Sequence, residues 1–134
     1  MSDYNAKIIE EFRANEGRVG GSWEGRNLLL ITTRGRKSGR EYTTPATYTR
    51  DGDRLLVYAS QGGSPHHPDW YLNLLANPNV VVEVGSERYD AVATPLEGAE
   101  RDREFAAQAE RWPQFAEYQA GTDRVIPVIA LEPR

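Results

Sequence analysis

The chain has 134 residues, with 16 Lys plus Arg against 20 Asp plus Glu and a formal charge of -4. That length suits one domain, and the acidic balance repels nucleic acid and anionic lipid from the molecule as a whole, so any anion site must be local. The absence of cysteine excludes a disulfide framework, a thiol nucleophile and a Cys-type zinc or iron-sulfur site.

The opening MSDYNAKIIEEFRANEG lacks the charged head and apolar stretch of a signal peptide, and no apolar run approaches the roughly 20 residues of a membrane span. The expectation is a cytoplasmic protein with residues 1–134 as a single domain, residues 1–20 being an N-terminal helix region. Composition decides neither peripheral membrane contact nor whether the chain forms a homodimer.

Ser2 can cap a first helix in which Ile8, Ile9 and Phe12 recur at helical spacing, ended by Gly17, Gly20 and Gly21. Segments 27–34, 42–50 and 54–60 are rich in β-branched, aromatic and leucine residues. The stretch GRKSGR and the pair Asp51-Gly52 separate them as hairpin turns. After a Gly- and Pro-rich loop, 61–69, a short helix is predicted over 69–77 and a second hairpin over 79–85 and 87–96, turning near Gly85-Ser86. Residues 97–112 begin acid-rich and carry Phe105, Ala109 and Trp112 on one face, which predicts a helix. Pro113 opens a further turn through Tyr118, and 124–132 closes as a last strand. Six strands joined mainly by hairpins, with helices at ends and insertions, argue for a mainly β, α+β fold built on an antiparallel barrel. Pro45 and Pro127 lack an amide donor and belong at edges, bulges or a ligand-facing break.

Two segments could carry chemistry. In TTRGRKSGREY (32–42), Arg34, Arg36, Lys37 and Arg40 crowd one glycine-bracketed turn, where exposed backbone N–H groups and cationic side chains suit phosphate oxygens. A solvated, charge-decorated hairpin would read the same way. In SQGGSPHHPDWYLNL (60–74), Gly62 and Gly63 permit close backbone approach to a flat ligand, Ser60, Gln61 and Asn73 offer polar groups, and Trp70 could form a wall or simply join the core. His66 and His67 lack a third ligand at metal spacing, so no metal site is expected, and Ser64 stands in no nucleophile elbow. Trp112, Phe115 and Tyr118 form a late aromatic face, where the Tyr118 phenol could donate a hydrogen bond as negative charge develops on a substrate.

Taken together, 28–48, 58–84 and 112–133 resemble the deazaflavin-dependent nitroreductase family in order and spacing over nearly the whole chain. The resemblance implies a six-stranded split β-barrel, similar to flavin-reductase and FMN-binding folds. It also implies hydride transfer from reduced 8-hydroxy-5-deazaflavin, coenzyme F-420, to quinones, nitroaromatics or activated alkenes. By position, Gly35, Arg36, Lys37, Ser38, Gly39 and Arg40 would take the coenzyme's phosphate and acidic tail, with Thr44, Pro45 and Ala46 beside its ring. Ser60, Gln61, Gly62 and Gly63 would meet the ring's polar edge, and Asp69, Trp70 and Asn73 would close the site. Substrate would enter between the first helix and Trp112, Phe115 and Tyr118. The chain departs from the family pattern at Gln61, where many members have Lys, at Tyr42, often basic, and at Phe115, where some nitro-reducing members have tyrosine. An FMN-dependent split-barrel oxidoreductase and a non-catalytic coenzyme carrier are the alternatives. Four cations on one turn exceed what the single phosphate of FMN needs.

Overall fold

A computed structural model describes residues 3–21, 27–60 and 63–134. In chain order the elements are α1 (Asp3–Ala14), β1 (Leu28–Arg34), β2 (Glu41–Asp51), β3 (Arg54–Tyr58), α2 (Asp69–Ala76), β4 (Asn79–Val84), β5 (Glu87–Pro95), α3 (Gly98–Arg111), α4 (Gln114–Ala120) and β6 (Val128–Pro133). The strands close into a six-stranded barrel in the order β1-β2-β3-β6-β5-β4, every pairing antiparallel. The predicted cap, Ser2, lies outside the described residues.

The unbroken apolar run of β1 is explained by burial on both faces. Leu29 and Ile31 point into the barrel with Val57, Val82, Ile129 and Leu131, and Leu74 of α2 joins them. Leu28 and Leu30 instead meet Ile8, Ile9 and Phe12, the apolar stripe of α1. On the opposite outer face, Leu56, Tyr58, Val128 and Ala130 pack against Phe105 of α3 and Phe115 of α4. Three clusters thus share one sheet, and β1 is common to the interior and the α1 side.

Pro45 pairs with Leu30 of β1, while pairing of β2 with β3 begins only at Tyr48, so its missing donor falls where β2 has one neighbour. Several element ends differ from the sequence expectation, and two of the differences have a clear physical cause. The β2–β3 loop is Gly52-Asp53, one residue later than Asp51-Gly52, because Asp51 pairs with Arg54 and Gly52 takes the positive φ of 63° at the first loop position. The last strand starts at Val128 rather than 124, since the Ile126 amide donates to Gln119 Oε1 at 2.9 Å instead of to a ladder and Pro127 has no donor.

α1 is fastened to the barrel by a bidentate pair: Arg13 Nε and Nη2 donate to Glu83 Oε1 and Oε2 at 3.0 and 2.8 Å. The Glu83 side chain is only 10% exposed, so losing its partner strands a buried carboxylate. Arg13 itself is half exposed, which lowers the cost, and Arg88 lies 4.0 Å from the same carboxylate. Arg13→Met is expected to lower unfolding free energy in urea by about 1–2 kcal/mol, and Glu83→Gln in that background to recover part of the loss.

Candidate functional site

The six residues between β1 and β2 close on themselves. The Gly35 amide donates to Arg40 O at 2.7 Å and the Gly39 amide to Gly35 O at 2.9 Å, while Arg34 Nη1 donates to Gly39 O at 2.8 Å. Ser38 Oγ accepts the Arg40 amide at 3.2 Å and lies 3.0 Å from the Tyr42 hydroxyl. Gly35 has no room for a side chain, because a Cβ there would sit 2.7 Å from Tyr42 Cε2 and 2.8 Å from Ser38 Oγ. Arg34 therefore serves the bend's own carbonyl. Lys37 and Arg40 are exposed, and among the described residues neither side chain makes an ion pair.

Arg36 turns the other way, toward α2. Its backbone amide and Nη1 both donate to Asn73 Oδ1, at 3.2 and 2.8 Å, and Nη2 reaches Asp69 Oδ1 at 3.4 Å. Asn73, 4% exposed, donates a hydrogen bond from Nδ2 to Thr33 Oγ1 of β1 at 3.4 Å. One carboxamide thus joins strand, bend and helix with its acceptor and a donor both used. Its helical neighbour Leu74 plugs the barrel, which fixes the height at which Asn73 meets the bend.

Between the bend and α2 lies a cavity of about 430 Å³ lined by Gly35, Arg36, Lys37, Ser38, Thr43, Thr44, Asp69, Trp70 and Asn73, with Tyr42 and, from α1, Asn5. Eight of the residues singled out from sequence for a cofactor meet here: Gly35, Arg36, Lys37, Ser38, Thr44, Asp69, Trp70 and Asn73. Gly39 and Arg40 sit on the bend itself. Pro45 lies two positions along β2 from the lining Thr43, and Ala46 is buried in the barrel interior. Asn5 and Thr43 carried no signal in the sequence, Asn5 because its role depends on where α1 docks and Thr43 because it reads as an ordinary strand threonine, here 2.8 Å from Thr32 Oγ1.

Ser60 and Gly63 belong to a second group of residues. The Gly63 amide donates to Ser60 O at 2.9 Å, and Gly63 takes a φ of +83° with Tyr118 so close that a Cβ would sit 3.0 Å from its Cα. Gln61 and Gly62 lie outside the described residues. Phe115 is buried between Tyr58, Phe105 and Tyr118, with ring centroids 5.7, 6.4 and 5.4 Å away. Tyr118 is half-buried above it and Trp112 is exposed at the end of α3. Nearby, Arg124 Nη1 donates to His67 Nδ1 at 3.0 Å; a guanidinium has no lone pair to offer, so the imidazole proton sits on Nε2. Burial, and then the Arg124 charge, lowers the His67 pKa below its ordinary value of 6.5. Among the described residues no three His, Asp or Glu side chains gather to hold a metal ion, and no helix is long and apolar enough to cross a membrane.

The sequence profile described as F420H(2)-dependent quinone reductase matches residues 6–133. A curated Mycobacterium tuberculosis protein with that same description is 39% identical over 133 residues, spanning 92% of this chain and 85% of the relative. A solved F420-H2 dependent reductase is 42% identical and superposes with a TM-score of 0.72, covering 80% of this chain and 95% of its own. A further solved structure, described only as a domain-swapped dimer, is 38% identical with a TM-score of 0.74, covering 95% of this chain and 93% of its own.

Asn73→Leu keeps the volume but strips Arg36 and Thr33 of their partner; urea unfolding is expected to show a loss of about 1–3 kcal/mol. Because the folded-state pKa of His67 is depressed, its neutral form contributes stability that is complete above pH 6.5 and lost as pH falls through the lowered value. Wild-type protein should therefore lose melting temperature more steeply below pH 6.5 than His67→Gln, and parallel curves would contradict this.

Proposed function

The chain belongs to the family of F420H(2)-dependent quinone reductases, and we propose on that footing that the cavity under the β1–β2 bend is where it holds reduced coenzyme F-420 while a hydride passes to a quinone. The chain is an oxidoreductase, and the observation that supports this placement is chemical asymmetry within one cavity. One wall is a cationic bend with exposed Lys37, and the facing wall is the Trp70 indole at the start of a helix. A ligand with a charged arm and a flat ring system matches both, and about 430 Å³ is in the range of small-molecule sites, roughly 300–1,000 Å³.

In this reading Lys37 and Arg40 meet the phosphate and acidic tail as mobile charges. Ser38, Gly39 and the bend's backbone border the same arm. Arg36 acts from a fixed position, because Asn73 and Asp69 already hold its guanidinium. Thr44 and Trp70 lie along the ring, Pro45 and Ala46 back it from β2, and Ser60 and Gly63 meet its polar edge. The coenzyme supplies the hydride when bound, so the protein's work is to align two flat molecules, exclude water and stabilise developing charge. Trp112, Phe115 and Tyr118 border the acceptor side, Phe115 from beneath Tyr118, whose phenol donates to the acceptor oxygen as it gains charge. Flat, electron-poor nitroaromatics and activated alkenes fit the same requirement as quinones. Two exposed cations beside a third that is held in place favour the multiply charged deazaflavin tail over the single phosphate of FMN.

The test is an absorbance assay with reduced coenzyme F-420, FMN with a nicotinamide donor, and menadione as acceptor. Oxidation of the reduced deazaflavin on adding menadione supports the reading. Binding without turnover on any acceptor would make the protein a carrier, and turnover with FMN alone would replace the cofactor. Arg36→Ala with Lys37→Ala is expected to weaken coenzyme binding by about 10-fold or more, and wild-type affinity should fall with added salt; an unchanged Kd would remove the bend from the site.

A further inference from the structure

The sequence gives Arg124 no role, yet its guanidinium is the most heavily engaged among the described side chains of the Ser60 and Gly63 group. Nη1 donates to Ala59 O at 3.1 Å and to His67 Nδ1 at 3.0 Å, Nη2 to Ser60 O at 2.8 Å, and Nε to Ser64 O at 2.8 Å. These partners lie 57 to 65 residues away in sequence and on both sides of the Ser60–Gly63 hydrogen bond. Ser60 O accepts the Gly63 amide as well, so the same carbonyl ties Gly63 to Ser60 and is gripped by the arginine. No carboxylate faces the guanidinium among the described residues; its acceptors are three carbonyls and one neutral imidazole. Burial without a counter-charge lowers its pKa from the ordinary value, the Tyr71 hydroxyl acting weakly the other way.

Arg124 is itself held. Gln119 Nε2 donates to Arg124 O at 2.7 Å, and Gln119 Oε1 accepts from Arg101 of α3 at 2.9 Å, so the backbone that carries the guanidinium is anchored to α3 and α4. Gly63 in turn rests on the backbone of Tyr118 without room for a Cβ. The loop residues are therefore referenced to the barrel end at Ala59, to α4 through Gly63, and to Arg124 between the two.

We infer that Arg124 is a positioning residue for the reaction: its planar, multi-donor guanidinium sets Ser60 and Gly63 at the height where they meet the ring of the coenzyme, and it touches neither coenzyme nor quinone. The inference rests on the function proposed above. It separates two tasks that the chain assigns to opposite ends of one ligand, since the β1–β2 bend governs how tightly the charged arm is held and Arg124 governs how the ring is aimed. Lysine cannot replace it, because a compact ammonium cannot reach carbonyls at Ala59, Ser60 and Ser64 together with His67.

The test compares Arg124→Ala and Arg124→Lys with wild type, measuring circular dichroism, the Kd for coenzyme F-420, and kcat and KM with menadione. Both variants are expected to stay folded and to bind the coenzyme within about threefold of wild type. Their kcat should fall by about 10- to 100-fold, the size of effect a misplacement near 1 Å produces. Millimolar guanidinium should restore part of kcat to Arg124→Ala, and methylammonium at equal concentration should not. Arg124→Lys within twofold of wild-type kcat overturns the inference, as does loss of folded protein in both variants, which would make the residue a structural strut. An inactive wild type overturns the function and this inference together, whereas an active wild type with active variants overturns the inference alone.

Discussion

An arginine folded back against its own scaffold needs an acceptor of fixed position, and in this chain Asn73 supplies it. Its Oδ1 takes the Arg36 amide and guanidinium together, and its Nδ2 reaches back to Thr33 on β1. Because Thr33, Arg36 and Asn73 come from strand, bend and helix, a single buried side chain sets the spacing of the cavity's two walls. Removing it would leave each wall intact and their distance undefined.

That arrangement depends on the barrel chiefly through β1 and Leu74. β1 is paired on both edges, to β2 and β4, and buried on both faces, so the strand that launches the bend is among the least free to move. Leu74 seats α2 in the interior. Rigid scaffold and exposed charge are thereby divided: the held cation, Arg36, belongs to the framework, while Lys37 and Arg40 remain available to a ligand. The second loop follows the same division, with Gly63 packed on Tyr118 and Ser60 held by its carbonyl.

Much of this was legible in the residues. Strand identity followed from the apolar and β-branched runs, and the tight bend between β1 and β2 from Gly35 and Gly39 set among Arg34, Arg36, Lys37 and Arg40. What local patterning could not supply was anything set by distant packing. Asp51-Gly52 signalled a hairpin, but the cross-strand pair Asp51 with Arg54 moved the loop by one residue. RVIP looked like strand, yet the Ile126 amide had already been claimed by Gln119. Phe115 could be named as a pocket residue or as core from its spacing alone; it packs under Tyr118 with three aromatic neighbours. Arg124 gave no signal at all, since a lone arginine before a last strand resembles any surface charge until its partners some 60 residues away are seen.

The most direct measurement is a crystal structure of the protein with coenzyme F-420 bound. It should show phosphate oxygens within hydrogen-bonding distance of Lys37 and the 35–40 bend, the ring along Trp70 and Thr44, and the Asn73 to Arg36 contact unchanged. Density for the ring away from α2, or an arm that leaves the bend untouched, would contradict the account.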